Sequence, residues 1–169
     1  QLVEQLKFFL EKCGTKEKMW LPNKNIFYKA SGEATNGKVA SLFTGQGSQK
    51  EYMFDEVAMN WPQFRRSITA MDKVGMSKCD TKVSDILYPR ARYANEAPIE
   101  NPAINETCNS QLSIAACAVG AYNIFKDAGF APDFAGGHSL GELLSLYSAG
   151  SIEMEDLFAL VCERGLIVR

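Results

Sequence analysis

The sequence predicts an α/β fold, a parallel sheet flanked by helices, and three stretches carry that expectation. Lys38-Val39-Ala40-Ser41-Leu42-Phe43-Thr44 is a short apolar run of strand length that passes straight into Gly45-Gln46-Gly47-Ser48-Gln49. Residues 110–128 repeat Leu112, Ala115, Ala116, Val119, Tyr122 and Phe125 at helical spacing, and Gly129 stands where the helix should stop. Pro132-Asp133-Phe134-Ala135-Gly136 reads as a second strand. It runs into Gly137-His138-Ser139-Leu140-Gly141, after which Leu143, Leu144, Leu146 and Tyr147 recur as on a helix. A strand, helices, a long helix, a second strand and a helix in that order need crossover connections, which make strands parallel. In such sheets sites gather at the carboxyl ends of strands, where both the 45–49 loop and Ser139 fall.

The remaining elements follow the same logic. Leu2, Leu6, Phe9 and Leu10 make one stripe of a short amphipathic helix that should end near Gly14. Residues 16–29 mix charge, a break at Pro22 and the apolar Ile26-Phe27-Tyr28, and residues 31–37 are rich in turn formers. We therefore read residues 1–36 as a linker or adaptor and residues 37–169 as the N-terminal part of a catalytic subdomain. Residues 53–59 and 62–74 read as two helices, with Pro62 suited to a first turn and Phe64, Ile68 and Met71 as a core stripe. Val83, Ile86 and Leu87 suggest one more turn. The polar, proline-bearing residues 90–102 read as loop. The last helix should span residues 153–167, with Glu153, Glu155 and Asp156 matching the positive end of its dipole.

Composition narrows the function. A chain that is 46% hydrophobic and 22% charged can build a core, which sets disorder aside. A net charge of −2 gives no reason to expect nucleic acid or an anionic membrane as partner. No apolar run approaches the roughly 20 residues that span a bilayer. Cys13, Cys79, Cys108, Cys117 and Cys162 are odd in number and contain no C-x-x-C pair, so reduced thiols in a cytoplasmic setting are expected, and no metal site.

Gly137-His138-Ser139-Leu140-Gly141 is a G-x-S-x-G pattern, the signature of a nucleophile elbow in its required strand–turn–helix context. The turn is so tight that its flanking residues must be very small, and glycine meets that need. Ser139 then lies at a helix N-terminus, where unpaired N–H groups favour the negative charge of a reacting acyl oxygen. A serine nucleophile needs a base. His138 is the single histidine and is adjacent to Ser139, so its side chain should leave the strand on the opposite face. It is expected to be structural, behind the elbow, and the base is expected to come from chain beyond residue 169.

Together these residues resemble a family. Gly45-Gln46-Gly47-Ser48-Gln49, Gly137-His138-Ser139-Leu140-Gly141-Glu142 and Leu160-Val161-Cys162-Glu163-Arg164-Gly165, in that order, are similar to the malonyl-CoA:acyl-carrier-protein transacylases. That family includes the acyltransferase domains of polyketide and fatty acid synthases. Met59-Asn60-Trp61-Pro62-Gln63-Phe64-Arg65 and Leu87-Tyr88-Pro89-Arg90 are closest to polyketide-type polyunsaturated-fatty-acid synthases. The resemblance implies the first half of a hydrolase-like larger subdomain, without the ferredoxin-like subdomain. It implies Ser139 as catalytic nucleophile and the backbone N–H groups of Gln46 and Leu140 as oxyanion hole. Arg164, 25 residues after the serine, would bind the substrate carboxylate, with Gln111 as a further substrate-binding residue. The implied reaction moves malonyl from coenzyme A to the phosphopantetheine thiol of an acyl carrier protein, with no bound cofactor. Neighbouring partners would be a ketosynthase and other synthase domains. Thr44 and Leu112 stand where the family often has proline. A serine hydrolase or thioesterase with the same elbow, and an inactive scaffold fragment, are the alternatives. A carboxylate-binding arginine separates the hydrolase from the transferase, because it is useful only for an acyl group that bears a carboxylate.

Overall fold

Gln1–Gly37 and Lys38–Arg169 form two separate units in the computed structural model, which describes residues 2–14, 18–21, 26–29, 37–89 and 102–168. In the first unit the expected helix α1 spans Leu2–Cys13. Two strands that the pattern at 16–29 did not announce, β1 (Lys18–Leu21) and β2 (Ile26–Lys29), pair antiparallel from Lys18↔Lys29 to Leu21↔Ile26. Phe9 of α1 meets Tyr28 of β2 edge-on, with ring centroids 4.8 Å apart.

The second unit holds the predicted alternation. β3 (Ala40–Phe43) and β4 (Phe134–Gly137) pair parallel, Ala40 opposite Phe134 and Phe43 opposite Gly137. Asp133 fastens the start of the pair. One carboxylate oxygen takes Lys38 Nζ at 2.8 Å and the other takes the Val39 N–H at 2.9 Å. Those two bonds, the lysine's first, hold its carboxyl below the usual carboxylate range.

Between the strands run α2 (Asp55–Asn60), α3 (Pro62–Cys79), α4 (Val83–Leu87), a 3-10 turn at Pro102–Asn105 and α5 (Thr107–Asp127). The loop expected at 90–102 lies outside the described residues up to 101. α6 (Leu140–Ser148) leaves the elbow, and α7 (Met154–Ile167) completes the order.

α3, α5 and α7 pack on one another and make the core. Phe64, Met71, Leu112, Leu144, Leu157 and Phe158 are fully buried, a contribution of about 1.5–3 kcal/mol each. α5 is buried on all sides from Cys108 to Tyr122, as a central helix must be. Its small residues allow that. A Cβ at Gly120 would come 2.8 Å from the Phe64 ring, and the Ser67 hydroxyl donates to the Ala116 carbonyl at 2.7 Å. Phe125 departs from the expected core face. It is 60% exposed and stacks edge-on with Phe130, because the last turns of α5 extend past the partners that cover its centre.

Candidate active site

β4 ends at Gly137 and α6 begins at Leu140, so two residues reverse the chain. The glycines are required by contact. A Cβ at Gly137 would lie 2.2 Å from the Gly141 backbone, and one at Gly141 would lie 2.3 Å from the Phe43 carbonyl oxygen. One at Gly45 would lie 2.8 Å from the His138 carbonyl oxygen. All three are below any real Cβ contact, so β3, the 45–49 loop and the elbow close on each other only with hydrogen at these positions. Ser139 bears the turn as backbone strain, with φ 57° and ψ −110°, at a cost of about 1–3 kcal/mol for a non-glycine residue.

One contact escaped the sequence reading. The Ser139 N–H donates to the Glu142 carboxylate at 3.2 Å, so the third residue of α6 reaches back to the strained position. Ser139-x-x-Glu142 is the sequence signal of a capping box and pointed to it.

The structure brings three predicted residues together. Arg164, half-buried on α7, donates from Nη2 to Ser139 Oγ at 2.9 Å and from Nη1 to Gln111 Oε1. Gln111 lies on the first turns of α5 and is fully buried. An arginine can only donate, so this bond fixes which end of the Gln111 amide faces it. The other end, Nε2, is buried and has no acceptor among the described residues. Leu112, in the position where the family often has proline, is itself fully buried in the core and leaves Gln111 in place.

No carboxylate among the described residues pairs with Arg164. Glu163 is held by Lys78 Nζ at 2.8 Å, which raises the lysine's pKa, and Glu142 takes the Ser139 N–H. Beside this row of bonds is a cavity of about 410 Å³ whose lining includes Ser139, Glu142, Leu143, Leu160, Glu163 and Arg164. A partly buried guanidinium with neutral partners, next to a hydroxyl and an apolar wall, is suited to an anionic group.

The other candidates fall around the same point. Leu140 buries its side chain completely and starts α6. Its N–H is one of the first-turn donors that a helix cannot satisfy. Gln46 is exposed in the turn after β3, beside the Gly45 that abuts the elbow. His138 is exposed, with Nδ1 turned towards Gly45, and it is Arg164 that bonds to Ser139 Oγ.

Known proteins resemble this chain in sequence and in fold. Residues 41–169 match the acyl transferase domain family. A polyunsaturated fatty acid synthase polypeptide of Thraustochytrium sp. is 51% identical over 158 residues, covering 90% of this chain and 6% of the relative. The malonyl CoA-acyl carrier protein transacylase of Bacillus subtilis is 32% identical over 128 residues, covering 76% of this chain and 36% of that protein. A solved malonyl-transacylase in complex with its type II polyketide-synthase acyl-carrier protein superposes with a TM-score of 0.65 at 25% identity. That match covers 78% of this chain and 38% of the solved one. The chain thus spans about a third of a transacylase and a small part of a large synthase. It belongs to the acyl transferase domain family, with malonyl transacylases and polyketide-type synthases among its relatives.

Proposed function

We propose that this chain supplies the nucleophile and the carboxylate-binding arginine of an acyltransferase. That enzyme moves malonyl from coenzyme A to the phosphopantetheine thiol of an acyl carrier protein, in the cytoplasm. The observation that carries this reading is the bond from Arg164 Nη2 to Ser139 Oγ at 2.9 Å. It sets a guanidinium with no carboxylate partner among the described residues directly beside the nucleophile.

In the proposed sequence Ser139 Oγ attacks the thioester carbonyl of malonyl-CoA. Its proton passes to a general base from the remainder of the domain. The new C–O bond forms, the C–S bond breaks, and coenzyme A leaves as its thiol with that proton. The carrier protein's thiol then gives its proton to the base and attacks the malonyl ester; a C–S bond forms, the C–O bond breaks, and Ser139 Oγ leaves with that proton. The N–H groups of Leu140 and Gln46 would stabilise the oxyanion in each step; losing one such donor typically costs on the order of 10²–10³ in rate. Arg164 would hold the free carboxylate, with Gln111 fixing the guanidinium plane. Lysine would not reproduce this, because it is a point charge without the fork.

Mass spectrometry of the complete domain after incubation with malonyl-CoA tests the reading. A stable malonyl ester on the Ser139 peptide is expected. Rapid release of free malonate points instead to a hydrolase, and no adduct points to a scaffold. The 169-residue chain by itself should turn over little substrate, because no described side chain is placed to take the Ser139 proton. Turnover near that of the complete domain would contradict this.

A further inference from the structure

Arg164 does more in this geometry than wait for a carboxylate. Its Nη2 already donates to Ser139 Oγ at 2.9 Å, while Nη1 donates to Gln111. A serine hydroxyl has two acceptor lone pairs and one proton. A cationic donor on one of those pairs withdraws electron density from the oxygen and occupies a direction that attack on a carbonyl needs. We propose that Arg164 restrains the nucleophile until substrate enters, and that the carboxylate of an incoming acyl group draws the guanidinium off Ser139 Oγ. The substrate's own charge thereby frees the oxygen that attacks it.

This rests on the malonyl reading above and adds to it. If Arg164 only bound the carboxylate, preference for a carboxylated acyl group would come from affinity. If Arg164 also restrains Ser139, an uncharged acyl group meets a nucleophile that is still engaged, and the preference extends to the acylation rate.

Three features support such an exchange. A guanidinium meets a carboxylate as an ion pair with two parallel charge-assisted bonds but meets the Ser139 hydroxyl with one, so a carboxylate displaces the hydroxyl. Both carboxylates lining the cavity are engaged elsewhere, Glu163 with Lys78 and Glu142 with the Ser139 N–H, so neither satisfies Arg164 beforehand. Gln111 is fully buried and keeps hold of Nη1, so the guanidinium turns about that bond and does not leave.

The test divides malonyl into its two parts, acetyl and a carboxylate. The complete domain is given acetyl-CoA with and without formate, and acetyl-Ser139 formation is followed by mass spectrometry. Formate should accelerate acetylation about tenfold in the wild type, the effect of releasing one charge-assisted hydrogen bond from the nucleophile. Arg164→Ala should acetylate at the accelerated rate without formate and should not respond to it. No response to formate in the wild type overturns the inference, and that arm requires no variant to fold. Slower acetylation in Arg164→Ala than in wild type also overturns it, because Arg164 would then be activating Ser139. Malonyl labelling of Ser139 without any formate effect sinks this inference and leaves the proposed function standing. Absence of labelling by either thioester sinks both.

Discussion

The two faces of the β3–β4 pair differ in what covers them. On one face Ser41 is buried, with its hydroxyl 2.7 Å from that of Ser148 on α6, and Phe43 meets Tyr122 of α5 edge-on. The other face carries Leu42 and Phe134, which are 80% and 60% exposed. From β3 a groove of about 590 Å³ runs over Phe43, Ala118, Tyr122 and Phe125. At its elbow end the covered face has contacts so close that Gly45, Gly137 and Gly141 admit no extra carbon, and that end holds the nucleophile. The open face is apolar but touches little. Nucleophile, arginine and glutamine are therefore positioned by the half of the packing that this stretch of sequence completes by itself.

Substitutions on the covered face should have the largest effects. Gly141→Ala places a methyl 2.3 Å from the Phe43 carbonyl oxygen, and overpacking of that kind should cost about 3 kcal/mol. Urea denaturation of the complete domain reads this directly. A loss under about 0.5 kcal/mol, the range of an ordinary surface change, would show that the elbow has room to spare.

At the tip of the same face, Ser139→Gly should stabilise the fold while abolishing acylation. Glycine tolerates φ 57° without the cost that serine bears there. The expected gain is about 1–2 kcal/mol. A variant that is less stable than wild type would place the strain elsewhere.

The open face should give the smallest change in stability. Leu42→Asn removes an exposed apolar side chain without opening a cavity, so unfolding of the 169-residue chain should move by no more than about 0.5 kcal/mol. Its self-association, followed by light scattering, should nevertheless fall, since exposed apolar patches and sheet edges promote association. Equal association of the two chains would show that this face is not the adhesive one.

Sequence and structure agree most closely where the constraint is local. The elbow was legible because its glycines, its strand and its helix lie within a few residues, and each answers to a short-range contact. α3 runs on past its expected end at Val74 to Cys79. Gly75 weakens the helical pattern there, yet it lets the helix close on the Thr81 carbonyl, whose oxygen would lie 2.5 Å from any Cβ at that position. The β1–β2 hairpin was hidden by Pro22 and by lysines that mask the alternation. The contact of Gln111 with Arg164 joins residues 53 apart through the packing of α5 on α7. No periodicity encodes that contact; the family resemblance named both residues, and the fold supplied their meeting.

The most direct test of the central claim compares malonyl-CoA and acetyl-CoA as donors for the complete domain, by kcat/KM, in wild type and Arg164→Ala. A carboxylate entering the site loses its water, and an unpaired buried charge is costly. The account predicts that Arg164→Ala impairs malonyl transfer while acetyl transfer rises, a change in preference of about 2–5 kcal/mol. Equal loss with the two donors would make Arg164 a structural residue and would contradict the assignment of a carboxylated acyl group to this site.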